Sequence, residues 1–141
     1  MFESIRIVES VTDWKEAIRE SSKPLVEHGY VKPSYVDAMI ESVEEFGFYV
    51  VLTDGVAMPH ARSEKGAIKT AIAFMKLNKP VLFGDKEVFL VLPLSAQDNE
   101  THMEYMIKMA DFLDNPERIQ KIKHMKTVEE IEAFLKEQNF A

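Results

Sequence analysis

The residues from Val88 to Leu94 are all apolar, and this run constrains the fold more than any other segment of the chain. A strand with one face in water alternates apolar and polar side chains, whereas this run does not alternate. The absence of alternation indicates burial on both faces, which requires a layer of helices on each side of the sheet. The run therefore predicts a central strand in a sheet that helices cover on both faces.

The N-terminal part carries the signals of a short strand and a first helix. Residues 4–8 are compatible with a strand, and either Thr12 or Asp13 can cap the helix that follows. Pro24 is predicted to kink or end this helix, because proline lacks the amide proton that the helical hydrogen bonds require. The helix is predicted to stop at Gly29 if it continues past Pro24.

Four further helices are predicted from apolar residues at helical spacing. One opens at Pro33 and stops before Gly47, and the others span 99–113, 116–122 and 127–138, the last behind a Thr-Val-Glu-Glu capping box. The stripes expected to face inward are Val36, Met39, Ile40, Val43 and Phe46 in the first of these helices, and Met103, Met106, Ile107, Ala110 and Leu113 in the second.

The middle of the chain contains residue types that favour β-strands. Residues 48–52 are aromatic and β-branched and precede a turn at 53–55. A brief extended piece at 56–58 follows, and 69–77 is predicted as another strand that breaks at 78–80. The predicted fold class is α/β, a three-layer sandwich in which a small mixed β-sheet has helices on both faces. The length fits one domain over residues 1–141.

Composition excludes several classes of function. A net charge of −7 and a pI near 5.1 argue against non-specific nucleic-acid binding, which needs a basic surface. The absence of cysteine excludes disulfides, thiolate metal sites and cysteine catalysis. No apolar run approaches the roughly 18–20 residues of a membrane span, and the N-terminus lacks a signal-peptide pattern. A cytoplasmic protein is expected.

The segment 55–62, Gly-Val-Ala-Met-Pro-His-Ala-Arg, places His60 on a loop at a strand end. An imidazole there is an accessible nucleophile, and the planar guanidinium of Arg62 suits phosphate oxygens. An imidazole with a pKa of about 6.5 is largely neutral at cytoplasmic pH, as a phosphoryl acceptor must be. Asp54 is a candidate for orienting His60, and equally a turn residue. A loop histidine without chemistry and a surface arginine are the alternatives.

His102 is the second candidate site residue. It stands in the first turn of the predicted helix 99–113, where free amides and the helix dipole favour an anion. Its side chain can donate to a phosphoryl oxygen, so the position suits a stabiliser better than a nucleophile. A half-buried histidine that bonds a carbonyl is the alternative.

No cofactor or metal is indicated. Two histidines that lie 42 positions apart have no metal-ligand spacing, and no Gly-rich phosphate loop is present. A phosphoryl group would therefore come from another protein or a small phosphorylated donor.

These motifs resemble the enzyme IIA domains of the bacterial phosphoenolpyruvate-dependent sugar phosphotransferase system, in the fructose–mannitol (type 2) superfamily. The resemblance covers nearly the whole chain. Its specific part is the segment 55–61, which matches the phosphorylation signature, and 98–102 matches the segment that carries an auxiliary histidine. The resemblance implies that His60 is phosphorylated and that His102 is its neighbour in the site.

Within this superfamily the chain is most similar to ascorbate-type enzyme IIA proteins, in the segments 44–47, 59–62 and 98–100. Mannitol-type members carry an arginine about 16 positions before the active histidine, where this chain has Glu44. Arg62 is the candidate replacement for that cation.

The resemblance implies a relay of a phosphoryl group. The phosphocarrier protein HPr donates it, His60 accepts it, and a cognate IIB protein or domain receives it from His60. A membrane IIC permease is then an indirect partner. Association into a homodimer is left open. The first alternative is a regulatory protein of the same fold, in which the phosphorylation state of His60 controls a partner. The second is a hydrolase or metal protein that uses His60 and His102.

Overall fold

The computed structural model describes residues 1–141, which form six strands and five helices. The strands are β1 Ser4–Val8, β2 Val51–Thr53, β3 Gly55–Ala57, β4 Ala71–Phe83, β5 Lys86–Val91 and β6 Leu94–Ser95. The helices are α1 Trp14–Glu27, α2 Pro33–Phe46, α3 Asn99–Leu113, α4 Pro116–His124 and α5 Val128–Glu137, with a 3₁₀ turn at Ser63–Lys65.

The strands form one mixed sheet in the order β1-β4-β5-β3-β2, and β6 pairs with the start of β4. The β1–β4 and β3–β5 pairs are parallel, and the remaining pairs are antiparallel. One buried cluster lies between the sheet and helices α1 and α2, and a second lies between the sheet and helices α3, α4 and α5. The predicted three-layer α/β sandwich is confirmed.

The apolar run Val88–Leu94 contributes side chains to both buried clusters, as its lack of alternation indicates. Val88 and Val91 belong to the cluster under α1 and α2, whereas Phe89, Leu90 and Leu92 belong to the opposite cluster. The run is not one continuous strand, however, because β5 ends at Val91 and β6 begins at Leu94. Pro93, which has no amide proton to donate, lies in the gap.

The prediction that Pro24 kinks or ends α1 is wrong. Asp13 caps the helix by accepting the Glu16 amide at 2.8 Å, and the helix runs past Pro24 to Glu27. A proline at this position leaves the carbonyl of Glu20 without its helical donor. The guanidinium of Arg6, on β1, donates to that carbonyl instead. The helix therefore tolerates the proline because the sheet supplies the missing hydrogen bond.

Two strand boundaries also differ from the prediction. The strand expected at 48–52 begins only at Val51, because 48–50 form a turn in which the Phe48 carbonyl accepts the Val51 amide at 3.1 Å. The break expected at 78–80 does not occur, and β4 continues to Phe83. Its register against β5 shifts between Lys76 and Val81, so Pro80 lies in a bulge where no ladder hydrogen bond is required.

Helix α3 has the predicted bounds but a partly different buried face. Met109 and Phe112 are fully buried, whereas Met103 is 60% exposed and Ile107 is also exposed. The sequence spacing also places His102 at the start of an inward stripe with Met106 and Met109, and this part of the prediction is confirmed, since His102 and Met106 are half-buried and Met109 is buried.

Candidate active site

His60 lies on the loop that follows β3, and hydrogen bonds from the segment after β5 hold this loop in place. The amide of Leu92 donates to the Ala57 carbonyl at 2.8 Å, and the amide of Leu94 donates to the Pro59 carbonyl at 2.9 Å. The His60 side chain is half-buried and lines an open pocket. The imidazole is therefore accessible from solvent, and backbone hydrogen bonds hold the loop that carries it.

The hydrogen bond of the His60 ring fixes its neutral tautomer. Nδ1 lies 2.9 Å from the backbone carbonyl oxygen of Met58. A carbonyl oxygen only accepts, so Nδ1 carries the proton and the lone pair resides on Nε2. Burial lowers the pKa of His60 below its ordinary value of 6.5, and the proximity of His102 lowers it further, while the bond to Met58 acts in the opposite direction. The ring is neutral at neutral pH, with a nucleophilic Nε2.

His102 lies beside His60, although 42 positions separate them in the sequence. The centroids of the two imidazole rings are 5.4 Å apart, and the ring planes are inclined by 59°. His102 stands in the first turn of α3, where its own amide makes the first helical bond, to the Asp98 carbonyl at 3.0 Å. The loop after β3 and the start of α3 thus bring together the two histidines that the sequence singles out.

The N-terminus of α3 already holds a negative charge. The Asp98 carboxylate accepts the Thr101 amide at 2.8 Å, and its hydrogen bonds to Thr101 lower the pKa of Asp98 below its usual range. This carboxylate lines the same pocket as His60. A dianionic phosphoryl group bound at His60 would therefore need a cation from another part of the pocket.

Arg62 is the cation of the pocket. Its side chain is 83% exposed, and its Nη1 lies 3.9 Å from the Glu64 carboxylate, a loose surface pair of small energetic value. Glu44 does not approach this site, because it pairs with Lys15 at 3.1 Å and does not line the pocket. The Arg62 guanidinium is free to move toward an anion on His60.

The pocket around the two histidines has a volume of about 470 Å³. Its lining residues are Ser42, Phe46, Tyr49, His60, Ala61, Arg62, Ser63, Ala96, Asp98, Asn99 and His102. The hydroxyls of Ser42 and Tyr49 lie 2.7 Å apart, and the Tyr49 ring meets the His60 ring edge-on, with centroids 5.6 Å apart. The sequence prediction missed Ser42 and Tyr49. No local pattern marks either residue, because they meet His60 only when α2 and the turn after it approach the His60 loop in space.

Two expectations about the surroundings of His60 require correction. Phe46, predicted to be buried, is 69% exposed at the rim of the pocket. Asp54 does not orient His60, because the Met58 carbonyl occupies Nδ1 and Asp54 lines a different groove. The apolar rim therefore consists of Phe46 and Tyr49 from the α2 side.

The side-chain arrangement and the helix lengths bear on two other kinds of site. No group of three or more carboxylate or imidazole side chains is arranged to hold a metal ion. None of the helices combines the length and the apolar character needed to span a lipid bilayer.

Comparison with known proteins identifies the family of this chain. The profile described as "Phosphoenolpyruvate-dependent sugar phosphotransferase system, EIIA 2" matches residues 2–138. The mannitol-specific cryptic phosphotransferase enzyme IIA component of Escherichia coli is 35% identical over 121 residues, which cover 84% of this chain and 82% of that protein. The ascorbate-specific PTS system EIIA component of the same organism is 31% identical over 132 residues, which cover 91% and 86%.

A solved structure extends the comparison to three dimensions. The complex of enzyme IIAMTL with phosphorylated enzyme IIBMTL from Escherichia coli matches with a TM-score of 0.80 and 28% identity, over 92% of each chain. The similarity in three dimensions therefore extends over most of both chains. This chain belongs to the type 2 enzyme IIA family, the phosphotransfer components of the phosphoenolpyruvate-dependent sugar phosphotransferase system.

Proposed function

We propose that this chain is a phosphocarrier that accepts a phosphoryl group on Nε2 of His60 from phosphorylated HPr and passes it to a cognate IIB protein. The observation that carries the proposal is the hydrogen bond from Nδ1 to the Met58 carbonyl, which leaves Nε2 unprotonated at an open pocket. Phosphoryl transfer needs mainly position and charge stabilisation from the protein, and the oriented His60 ring and the Arg62 cation of the pocket support these two roles.

The transfer step balances without an external base. The Nε2 lone pair forms a bond to phosphorus while the bond between phosphorus and the donor imidazole nitrogen breaks, and the electron pair returns to the donor ring. The His60 ring keeps its Nδ1 proton and becomes cationic, which strengthens the hydrogen bond to the Met58 carbonyl at 2.9 Å. The proton stays in place, and the ring charge partly offsets the charge of the phosphoryl group.

Exposed apolar side chains at the pocket and on α3 support a docking role. Phe46 and Tyr49 line the pocket, and Met103 and Ile107 are exposed on the helix that carries His102. Exposed apolar side chains of this kind are typical of a protein-binding surface. We propose that HPr and IIB use this surface in turn, and the mannitol IIA–IIB complex supports the second of these partners.

Phosphorylation in a reconstituted system tests the proposal. Labelled phosphoenolpyruvate, enzyme I and HPr are incubated with the chain, and ¹⁵N NMR of the imidazole identifies the modified nitrogen. We expect a single label per chain, on Nε2 of His60. No label in the presence of active phospho-HPr would refute the carrier function, and a label on Nδ1 would refute the atom assignment.

His102→Ala is expected to leave acceptance from HPr in place while it slows onward transfer. The ring centroid of His102 lies 5.4 Å from that of His60, close enough to donate to a bound phosphoryl group but not in a position to replace the nucleophile. Loss of a single charge-stabilising donor typically costs about 10²-fold or more in rate, and the exposed setting places this site at the low end. Rapid-quench assays measure both half-reactions, and wild-type rates in both would reduce His102 to a packing residue.

Arg62→Ala is expected to slow acceptance from HPr by about 10- to 100-fold, in line with roughly 1.5–3 kcal/mol for a hydrogen bond to a charged group. Lys65→Ala is the matched control, because Lys65 is an exposed cation on the same loop that does not line the pocket. Equal rates for Arg62→Ala and wild type would remove the phosphate role of Arg62, and an equal loss in both variants would indicate a general charge effect.

The recipient can be identified with a panel of IIB proteins. We propose an ascorbate-type IIB as the recipient, on the basis of the resemblance in the segments 44–47, 59–62 and 98–100. Phosphorylated chain is mixed with ascorbate-type and mannitol-type IIB, and transfer is followed by loss of label. Preference for the mannitol-type protein would contradict the sugar assignment alone. Failure with every IIB, together with capture of another partner that depends on phosphorylation, would favour a regulatory role.

A further inference from the structure

A closed circuit of hydrogen bonds surrounds the backbone of His60. The Leu94 amide donates to the Pro59 carbonyl at 2.9 Å, and the Leu94 carbonyl accepts the Tyr35 hydroxyl at 2.8 Å. The Ala61 amide then donates to the Tyr35 oxygen at 3.1 Å. Only His60 lies between Pro59 and Ala61, so the circuit holds the peptide units on both sides of this residue.

Tyr35 is the only side chain in this circuit. It stands in the first turns of α2 and is 1% exposed, and its ring belongs to the core cluster under α1 and α2. Burial raises the pKa of Tyr35 to about 12, so the hydroxyl stays protonated and neutral at physiological pH. The Ala61 carbonyl is a second acceptor at 3.2 Å. The hydroxyl thus links helix α2, the His60 loop and the start of β6.

The aromatic ring alone does not account for this arrangement. Phenylalanine would fill the same core space but would leave the Ala61 amide and the buried Leu94 carbonyl without their partner. A buried polar group that loses its partner costs about 1–3 kcal/mol, and the loop would gain freedom to relax. The hydroxyl is therefore the side-chain group that adds to the backbone hydrogen bonds holding the loop that carries His60.

We propose that Tyr35 is a positioning residue for phosphoryl transfer, whose hydroxyl fixes the Ala61 peptide unit and thereby aims Nε2 of His60 into the pocket. This inference rests on the proposed carrier function. Tyr35 does not line the pocket, so it acts through the loop and touches neither the phosphoryl group nor the docked partner. In-line attack is sensitive to direction, and a displacement of about 1 Å can cost roughly 10²-fold in rate.

The test compares Tyr35→Phe with Tyr30→Phe. Tyr30 also donates a hydrogen bond, to the Glu3 carboxylate at 2.9 Å, but lies outside the pocket and the circuit. Single-turnover acceptance is measured over a range of phospho-HPr concentrations. We expect Tyr35→Phe to lower the rate at saturation by about tenfold, with the half-saturating concentration of HPr unchanged. Tyr30→Phe should match the wild type.

An NMR readout separates positioning from a purely structural role. In Tyr35→Phe, the ¹⁵N shifts of the His60 ring should move from the Nδ1–H tautomer toward a mixture, whereas a residue that only packs would lower the free energy of unfolding and leave these shifts in place. In the wild type, the Ala61 amide should exchange slowly with solvent. This last measurement applies even if the variant does not fold.

The outcomes distinguish this inference from the proposed function. Wild-type transfer rates in folded Tyr35→Phe, a loss confined to HPr affinity, unchanged His60 shifts, or rapid exchange of the Ala61 amide would each overturn the role of Tyr35. In all of these cases a wild-type chain that accepts label leaves the carrier function intact. A wild-type chain that accepts no label would refute the carrier function itself.

Discussion

Replacement of His60 by alanine is expected to abolish phosphoryl acceptance. The variant lacks the Nε2 lone pair that forms the bond to phosphorus, and neighbouring groups do not substitute for it, because His102 belongs to a different element and its ring is 5.4 Å away. Removal of a nucleophile typically costs at least about a thousandfold in rate. Incorporation of label from phosphoenolpyruvate through enzyme I and HPr measures the effect.

The matched control for this variant is His124→Ala. His124 is an exposed histidine at the end of α4 and does not line the pocket. It should take up label at the wild-type level, and both variants should retain the wild-type circular dichroism spectrum. Stoichiometric label on His60→Ala would show that another side chain is the acceptor.

The largest effect on stability is expected from Gly55→Ala, at the start of the strand that leads to His60. Gly55 has a φ of +84°, and a Cβ atom there would lie 2.3 Å from Cε1 of Phe89. Phe89 is buried in the second core cluster, so its ring cannot move aside freely. The strain of a positive φ and the overpacking of the core add up to about 2–4 kcal/mol of destabilisation.

Gly29→Ala separates the two contributions to this loss. Gly29 has a similar φ of +74°, but no atom lies within 4 Å of the position that its Cβ would occupy. It should lose only about 1 kcal/mol, the cost of the left-handed conformation. Urea unfolding followed by circular dichroism gives both free energies. Equal losses in the two variants would show that the contact with Phe89 contributes nothing.

Most of the architecture of this protein follows from local signals, and the prediction at Pro24 fails because a distant residue intervenes. Lack of alternation in Val88–Leu94 predicts the central strand, and the capping residues predict the bounds of α3 to within a residue. Pro24 does not end its helix, because Arg6 on another element satisfies the carbonyl that the proline leaves free. The sequence of α1 alone cannot predict this hydrogen bond, because its donor lies on β1.

The candidate site shows the same division. The segment around His60 predicts the nucleophile, and the start of α3 predicts His102, because both signals are local. Tyr35 and Tyr49 could not be assigned in this way. From the sequence alone, Tyr35 is indistinguishable from the other core residues of α2. Its hydroxyl has a role only because Ala61 and Leu94 approach it in the folded protein.

The hydrogen bond between Arg6 and the Glu20 carbonyl makes the effect of a substitution at one position depend on the residue at another. While Pro24 is present, loss of Arg6 would strand a helical carbonyl. If Pro24 were alanine, the helix would supply its own donor, and Arg6 would keep only its pair with the Glu20 carboxylate at 3.2 Å. The two residues thus form an epistatic pair, in which loss of Arg6 destabilises the protein more while Pro24 is present than after Pro24 is replaced.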